Sequence, residues 1–322
     1  MDICRRHVLI AGGLLIGARH VDAATWPERA LRMTIGYPPG GAADGVARLL
    51  LEPMSKALGQ PLVMDYKPGA GGATAAEAVA RAVPDGYALH LIEASVFTAL
   101  PHLRKLAFDP VRALQPIGMV AVGGVLIVAH PSAGMFNLTE LIKAAKASPG
   151  QLAYGTSGVG GAQHLAAEHF QAAAGIKLRH IPYKGGAPAM NDLLGGQIPL
   201  LFSSMTPAVP MVKSGRIKAL GVTSVARSSL LPEVPTVAEQ GLPGFESEVW
   251  LAVAGPVGLP DAVSRKIGAA LAAANADPGV QAQIRSQGYE PVSEGPKEII
   301  DRIRRDGLKW SRIIKDSGIS LE

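Results

Sequence analysis

The chain has one cysteine, Cys4, among 322 residues. A single thiol closes no intramolecular bridge and builds no cysteine-rich metal cluster, so a disulfide-stapled scaffold and a structural zinc module are excluded. Charge is sparse too, 18% of residues against 48% hydrophobic, with a formal net charge of +5. A chain this apolar and this weakly charged collapses, which excludes intrinsic disorder. Beyond the first two dozen residues no apolar run reaches the roughly 20 residues that span a bilayer before charge, Pro or Gly interrupts it. What is plentiful is glycine, 38 residues, alongside 25 prolines. At roughly 100 to 200 residues per domain, the length makes about two domains, each large enough for its own core. The composition is that of a soluble α/β protein.

The first residues form a separate segment. Arg5 and Arg6 precede the apolar run Val8–Ala18, and Val21-Asp22-Ala23 sets small or branched residues at the −3 and −1 positions of a cut after Ala23. That is the pattern of an export signal, residues 1–23, with an apolar part too short to span a membrane. The stretch from Cys4 to Leu9 also resembles the twin-arginine export pattern, and Cys4 lies ahead of the apolar run, where it cannot anchor a lipoprotein. The mature protein is therefore expected outside the cytoplasm. Its basic residues are scattered, and the one dense cluster, Arg302, Arg304, Arg305, Lys309, Arg312 and Lys315, is opposed by Ile299, Ile300, Ile303, Ile313 and Ile314 on a helical wheel. A solvated helix face is expected there, not a nucleic-acid or membrane surface.

Strand and helix patterns alternate. Strands are predicted at 31–37, 61–66 and 87–92, with helices beginning after Gly40-Gly41 and after Lys67-Pro68-Gly69-Ala70-Gly71-Gly72. A second series gives a long apolar stretch at 120–129, strands at 152–155, 178–182, 200–203 and 217–223, and helices at 138–147, 163–173 and 187–194. The last hundred residues hold one strand, 249–254, and helices at 262–274 and 297–317. The βαβ order predicts mainly parallel sheets with right-handed crossovers. Two α/β units follow, one at 24–122 completed by 225–322 and one at 123–224.

Glycine marks the sites. Gly40-Gly41, the run Gly155–Gly161 and Gly185-Gly186 each follow a strand and precede a helix, where unpaired backbone N–H groups meet a ligand without Cβ interference. Each helix start carries about half a positive charge, enough to hold a carboxylate without Lys or Arg. Asp44 is placed to cap or brace the first loop. The same loops fit catalytic motifs poorly. Val159 stands where a nucleophile elbow needs Gly, Gln163 where G-x-G-x-x-G needs its last Gly, and no P-loop Lys follows. His164 and His169 are five apart, about 140° around a helix, and so do not share one metal ion as an i, i+4 pair does. A cofactor is not called for. His164 either donates to a ligand or to the loop, or satisfies local backbone. The enzymatic alternative is an exported hydrolase or transferase using Ser157 with His164.

Several blocks together resemble a known family. They are Tyr37–Gly41 with Asp44 and Ala47-Arg48, Asp65–Gly72, Pro84–Tyr87, Gly155–Gly158 with His164-Leu165, Pro182–Ala189, Asp192–Gly196, and Leu231–Glu239 with Gly241. In that order they are similar to the extracytoplasmic solute-binding proteins of tripartite tricarboxylate transporters, Bug type, from about Trp26 to the C-terminus.

The resemblance implies an α/β fold of the periplasmic binding protein type II kind, two α/β domains around a ligand cleft joined by two crossover segments. It implies a monomeric periplasmic receptor that binds a small organic carboxylate without chemistry and hands it to inner-membrane transporter subunits. A carboxylate-sensing module without a transporter is the other non-enzymatic reading. The implied ligand positions are Tyr37, Pro39, Gly41, Ala42, Ser157, Gly158 and His164, with Asp44, Thr156 and Gly160 in the same loops and the stretch Ala94-Ser95-Val96 and the strand end Ser203-Ser204 on the variable side of the pocket. Ile198-Pro199 and Phe202-Ser203-Ser204 stand where many relatives carry acidic residues that would meet an ammonium. This departure favours a dicarboxylate, tricarboxylate or aromatic acid. Glu93 is a further departure, and the sequence leaves open whether it reaches the cleft.

Overall fold

A computed structural model describes residues 25–39 and 41–319, except for the side chain of Ala42. The export segment 1–23 and Gly40 lie outside the described residues. The chain runs β1 (Leu31–Ile35), α1 (Ala42–Leu58), β2 (Leu62–Tyr66), α2 (Ala73–Ala80) and β3 (Ala88–Glu93). Three short helices, α3 (Ala94–Thr98), α4 (Leu100–Leu103) and α5 (Pro110–Ala113), lead into β4 (Leu114–Gly124). Then come β5 (Leu126–Ala129), α6 (Leu138–Ala147), β6 (Ala153–Thr156), α7 (Ala162–Ala174), β7 (Arg179–Pro182), α8 (Gly186–Leu194), β8 (Leu200–Ser203), α9 (Met205–Lys213) and β9 (Lys218–Val222). The chain closes with β10 (Glu248–Pro256), α10 (Asp261–Ala276), α11 (Pro278–Ser286), β11 (Glu290–Pro291) and α12 (Pro296–Ser317).

Two sheets result, one ordered β11-β4-β10-β3-β1-β2 and the other β7-β6-β8-β5-β9. They are mixed, which corrects the expectation of mainly parallel sheets. β1 runs parallel to β2 and β3, and β6 to β7 and β8, whereas β10 is antiparallel to β3 and β4, and β5 to β8 and β9. The antiparallel pairs of β10 and β5 arise because these strands have just crossed from the other sheet and so enter from the opposite end; the short β11 is antiparallel to β4 as well. The apolar stretch expected at 120–129 is divided in the same way: β4 completes one sheet, Val125 crosses, and β5 begins the other. Both crossovers meet at Thr223, and residues Val125, Thr223 and Ser247 are bonded together where the two sheets adjoin.

Packing follows the sequence periodicities. Val46, Leu50, Met54 and Leu58 fall four apart on α1 and are all buried with Leu271 and Ile267 of α10 against one face of the first sheet. On its other face Ile299 and Ile303 of α12 pack with Phe97 and Trp250, and the Trp250 indole N–H donates to Asp306 at 3.0 Å. Arg304 and Arg312 of α12 are exposed while Ile313 and Ile314 are buried. Leu165 of α7 packs with Ala99, Leu103, Trp310 and Ile313, so an apolar cluster also bridges the two units. Among the described residues no helix is long and apolar enough to cross a membrane.

Candidate functional site

Three long helices start on one cleft. Gly41, Gly161 and Gly185 are the N-cap residues of α1, α7 and α8, and at none of them does a side chain of the described residues cap the helix. A helix start leaves its first N–H groups without intrahelical partners. All three glycines line a single cleft of about 720 Å³, which also receives Tyr37, Pro38 and Pro39 from the loop after β1 and Ser157, Gly158 and Gly160 from the loop after β6. The glycines differ in kind. Gly158 and Gly160 have φ of +145° and +75°, in the region that disfavours side chains, whereas Gly41 and Gly161 sit at −81° and −74°, which any residue adopts.

The second loop is braced from behind. Thr156 is fully buried, its hydroxyl donating to the carbonyl of Gly158 at 3.0 Å, accepting the Gly158 amide at 3.3 Å and contacting Nε2 of His180 at 2.7 Å. His164 is buried as well. Its Nδ1 accepts the amide of Gly160 at 3.0 Å, which places the ring proton on Nε2, 3.7 Å from Glu168. The imidazole stacks on His180 with centroids 4.0 Å apart. Burial holds both imidazoles down to about 4, so neither carries charge at neutral pH.

Several expected positions therefore stand apart from the cleft wall. His164 and Thr156 hold the loop's shape and are not among the lining residues. Asp44 is buried on α1, where it accepts the Tyr66 hydroxyl at 2.5 Å and pairs with Arg48 at 3.1 Å; it braces the helix and is likewise absent from the lining. Ser203 is buried at the end of β8 with its hydroxyl donating to the carbonyl of Ser204 at 3.0 Å, and it is Ser204 that faces the cleft. One step along a strand turns a side chain to the other face. The enzymatic alternative fails on geometry: the Ser157 hydroxyl donates to Gln163 at 2.9 Å, and His164 offers its one acceptor nitrogen to Gly160.

Tyr37, Pro39, Gly41, Ser95, Ser157, Gly158 and Gly160 are brought together in the cleft. The sequence did not point to Leu100, Arg104, Gln163 or Tyr289, which complete the wall. Glu93 is there too, half-buried, accepting the Tyr37 hydroxyl and lying 3.5 Å from the Ser95 hydroxyl. Burial pushes both the Glu93 carboxyl and the Tyr37 phenol up from their ordinary values. Among the described residues no cluster of three His, Cys, Asp or Glu is placed to hold a metal ion.

Residues 46–319 match the family model described as the tripartite tricarboxylate transporter family receptor, TctC. The chain belongs to this family. Protein BugT of Bordetella pertussis is 33% identical over 307 residues, covering 95% of this chain and 94% of BugT. Among solved structures, the Rpa4515 protein of Rhodopseudomonas palustris, described with adipate, superposes with a TM-score of 0.82 at 29% identity, covering 92% of this chain and 99% of that one. MatC of the same organism, described with bound malate, gives 0.79 at 27% identity, covering 90% of this chain and all of that one. This TctC protein is thus a solute-binding receptor of the Bug type with the two-lobed periplasmic binding protein fold, not an enzyme.

Proposed function

We propose that this TctC receptor captures a small organic carboxylate in the cleft and delivers it, in the periplasm and as a monomer, to inner-membrane subunits of a tripartite tricarboxylate transporter. The observation that carries this reading is the convergence of three glycine-capped helix starts on one cleft whose lining, among the described residues, contains a single cationic side chain, Arg104. Partial positive charge and unpaired amides suit a carboxylate. Solved relatives described with adipate and malate support a dicarboxylate as the first candidate.

In this reading Tyr37, Pro39, Gly41 and Ala42 form one side of the grip, and Ser157, Gly158 and the amides around Gly161 the other. Ser95 and Ser204 set the far wall. Thr156, Gly160 and His164 keep the second loop in shape, and Asp44 fixes the start of α1. The moving bodies are the unit built on the first sheet and the unit built on the second, hinged where Val125, Thr223 and Ser247 are bonded. A carboxylate held by one loop recruits the other, and its higher affinity for the closed form shifts the population toward closure. The transporter then reads the altered outer surface.

Thermal-shift screening of the mature protein against mono-, di- and tricarboxylates, aromatic acids and amino acids tests the reading. A carboxylate raises the melting temperature; stabilisation by cationic or neutral compounds alone would contradict it.

A further inference from the structure

Among the described residues, Glu93 is the one acidic side chain that lines the cleft. It stands at the junction of three hollows: the cleft, a smaller one reaching back to Val125 and Tyr289, and a third bounded by Ala162, Glu248 and Trp310. The groups facing it are uncharged donors, the Tyr37 hydroxyl from the end of β1 and the Ser95 hydroxyl from α3, with the Tyr289 phenol from the segment before β11 in the same cleft. The charged side chains that share these hollows are Arg104 in the cleft and Glu248 behind it, and no Lys, Arg or His forms an ion pair with Glu93 among the described residues.

An ionised Glu93 and a bound carboxylate repel each other, and closure removes the water that screens them. A neutral Glu93 does the opposite: its O–H is a hydrogen-bond donor aimed at an anion, and such charge-assisted bonds are the strong ones. Its single firm contact among the described residues, the Tyr37 hydroxyl on Oε2, leaves Oε1 for this.

Resting on the carboxylate reading above, we propose that Glu93 determines specificity by meeting the ligand as a neutral carboxyl that donates to an acceptor oxygen at the ligand's distal end, so that each capture takes up one proton from solution. The ligand class this selects is a dicarboxylate or hydroxy acid, not an amine-bearing acid. Burial already pushes the Glu93 carboxyl up before ligand arrives, and a bound anion raises it further. The sign follows. Binding is fully developed below the free-state value and weakens by up to about tenfold per pH unit as pH rises toward the bound-state value.

The test is titration calorimetry of the mature protein with malate, adipate, aspartate and 4-aminobutyrate at pH 5.5 and 8, in two buffers of different ionisation enthalpy. The expected result is that a dicarboxylate binds at least tenfold tighter at pH 5.5 than at pH 8, with proton uptake approaching one where the affinity falls tenfold per pH unit. Glu93→Gln, which keeps a donor but cannot titrate, binds it with little pH dependence and no proton uptake. A dicarboxylate that binds wild-type protein equally at both pH values, without proton uptake, overturns the Glu93 proposal and leaves the carboxylate reading standing. Binding of the amine-bearing acids alone, lost in Glu93→Gln, replaces the neutral carboxyl with an ion pair to the ligand's ammonium. Failure of every acid, amine-bearing or not, in this assay and in the wider thermal screen overturns the carboxylate reading itself. The wild-type proton count stands as evidence even if the variant misfolds.

Discussion

Val125 and Thr223 are bonded in both directions: the Val125 amide donates to the Thr223 hydroxyl at 2.8 Å, and the Thr223 amide donates to the Val125 carbonyl at 3.0 Å. One residue lies on each of the two segments that pass between the sheets. The same threonine hydroxyl donates to the carbonyl of Ser247 at 2.7 Å, and Thr223 is fully buried, so the two crossovers are clamped at a dry point. Thr223→Val keeps the shape but leaves a buried amide and a buried carbonyl short of a partner, at about 1–3 kcal/mol for each unsatisfied group. Urea melts are expected to show a loss of roughly 2–6 kcal/mol for Thr223→Val, the two groups together, and a much smaller one for Thr223→Ser.

The glycines of the cleft separate into two experiments. A Cβ on Gly161 meets nothing closer than Gln163 Oε1 at 3.7 Å, and one on Gly41 nothing closer than the Pro38 carbonyl at 3.7 Å. Gly161→Val and Gly41→Val therefore place bulk in the cleft with ordinary backbone, costing the unliganded protein about 1 kcal/mol as poorer N-caps while removing the ligand-induced rise in melting temperature. Gly158→Val is a different change. At φ +145° it strains the backbone, by about 1–3 kcal/mol, and lowers the unliganded melting temperature as well.

Acid stability turns on four imidazoles. Burial holds His90, His164, His169 and His180 down to about 4, whereas an unfolded histidine titrates near 6.5. Between those values the unfolded chain binds more protons than the folded one, so stability is fully present above about pH 6.5 and is lost as pH falls toward 4. His90, 1% exposed, contributes roughly 3 kcal/mol of that loss. Denaturant melts at pH 7 and pH 4.5 are expected to show a clear drop at the lower pH, reduced in His90→Asn; an unchanged midpoint would contradict the assignment.

Much of this architecture was readable from local pattern. The four-residue spacing of Val46, Leu50 and Met54 and the placing of glycines between strand and helix are consequences of backbone geometry that leave a trace in any short window. The loop glycines of the cleft were visible for that reason. Tyr289, Arg104 and Leu100 were not, because they reach the cleft from segments with no turn or motif of their own, carried there by the packing of α11 and α4. The division of 120–129 into two strands of different sheets was hidden because both halves are equally apolar. Ser203 and Ser204 differ only in which side of β8 they face at its end, a distinction of one residue that composition does not carry. His164 was noticed for its chemistry and proved to act on the loop, since nothing in a sequence tells a nitrogen that faces a ligand from one that accepts an amide four residues back.

The central claim is that main-chain amides at the helix starts grip the ligand's carboxylate. Amide ¹H–¹⁵N spectra of the mature protein, with a stabilising carboxylate titrated in, test it most directly. The account predicts that the largest shifts fall on Val159, Gly161, Ala162 and the residues opening α1 and α8. Large shifts confined to exposed lysines and arginines, with those amides unmoved, would contradict it.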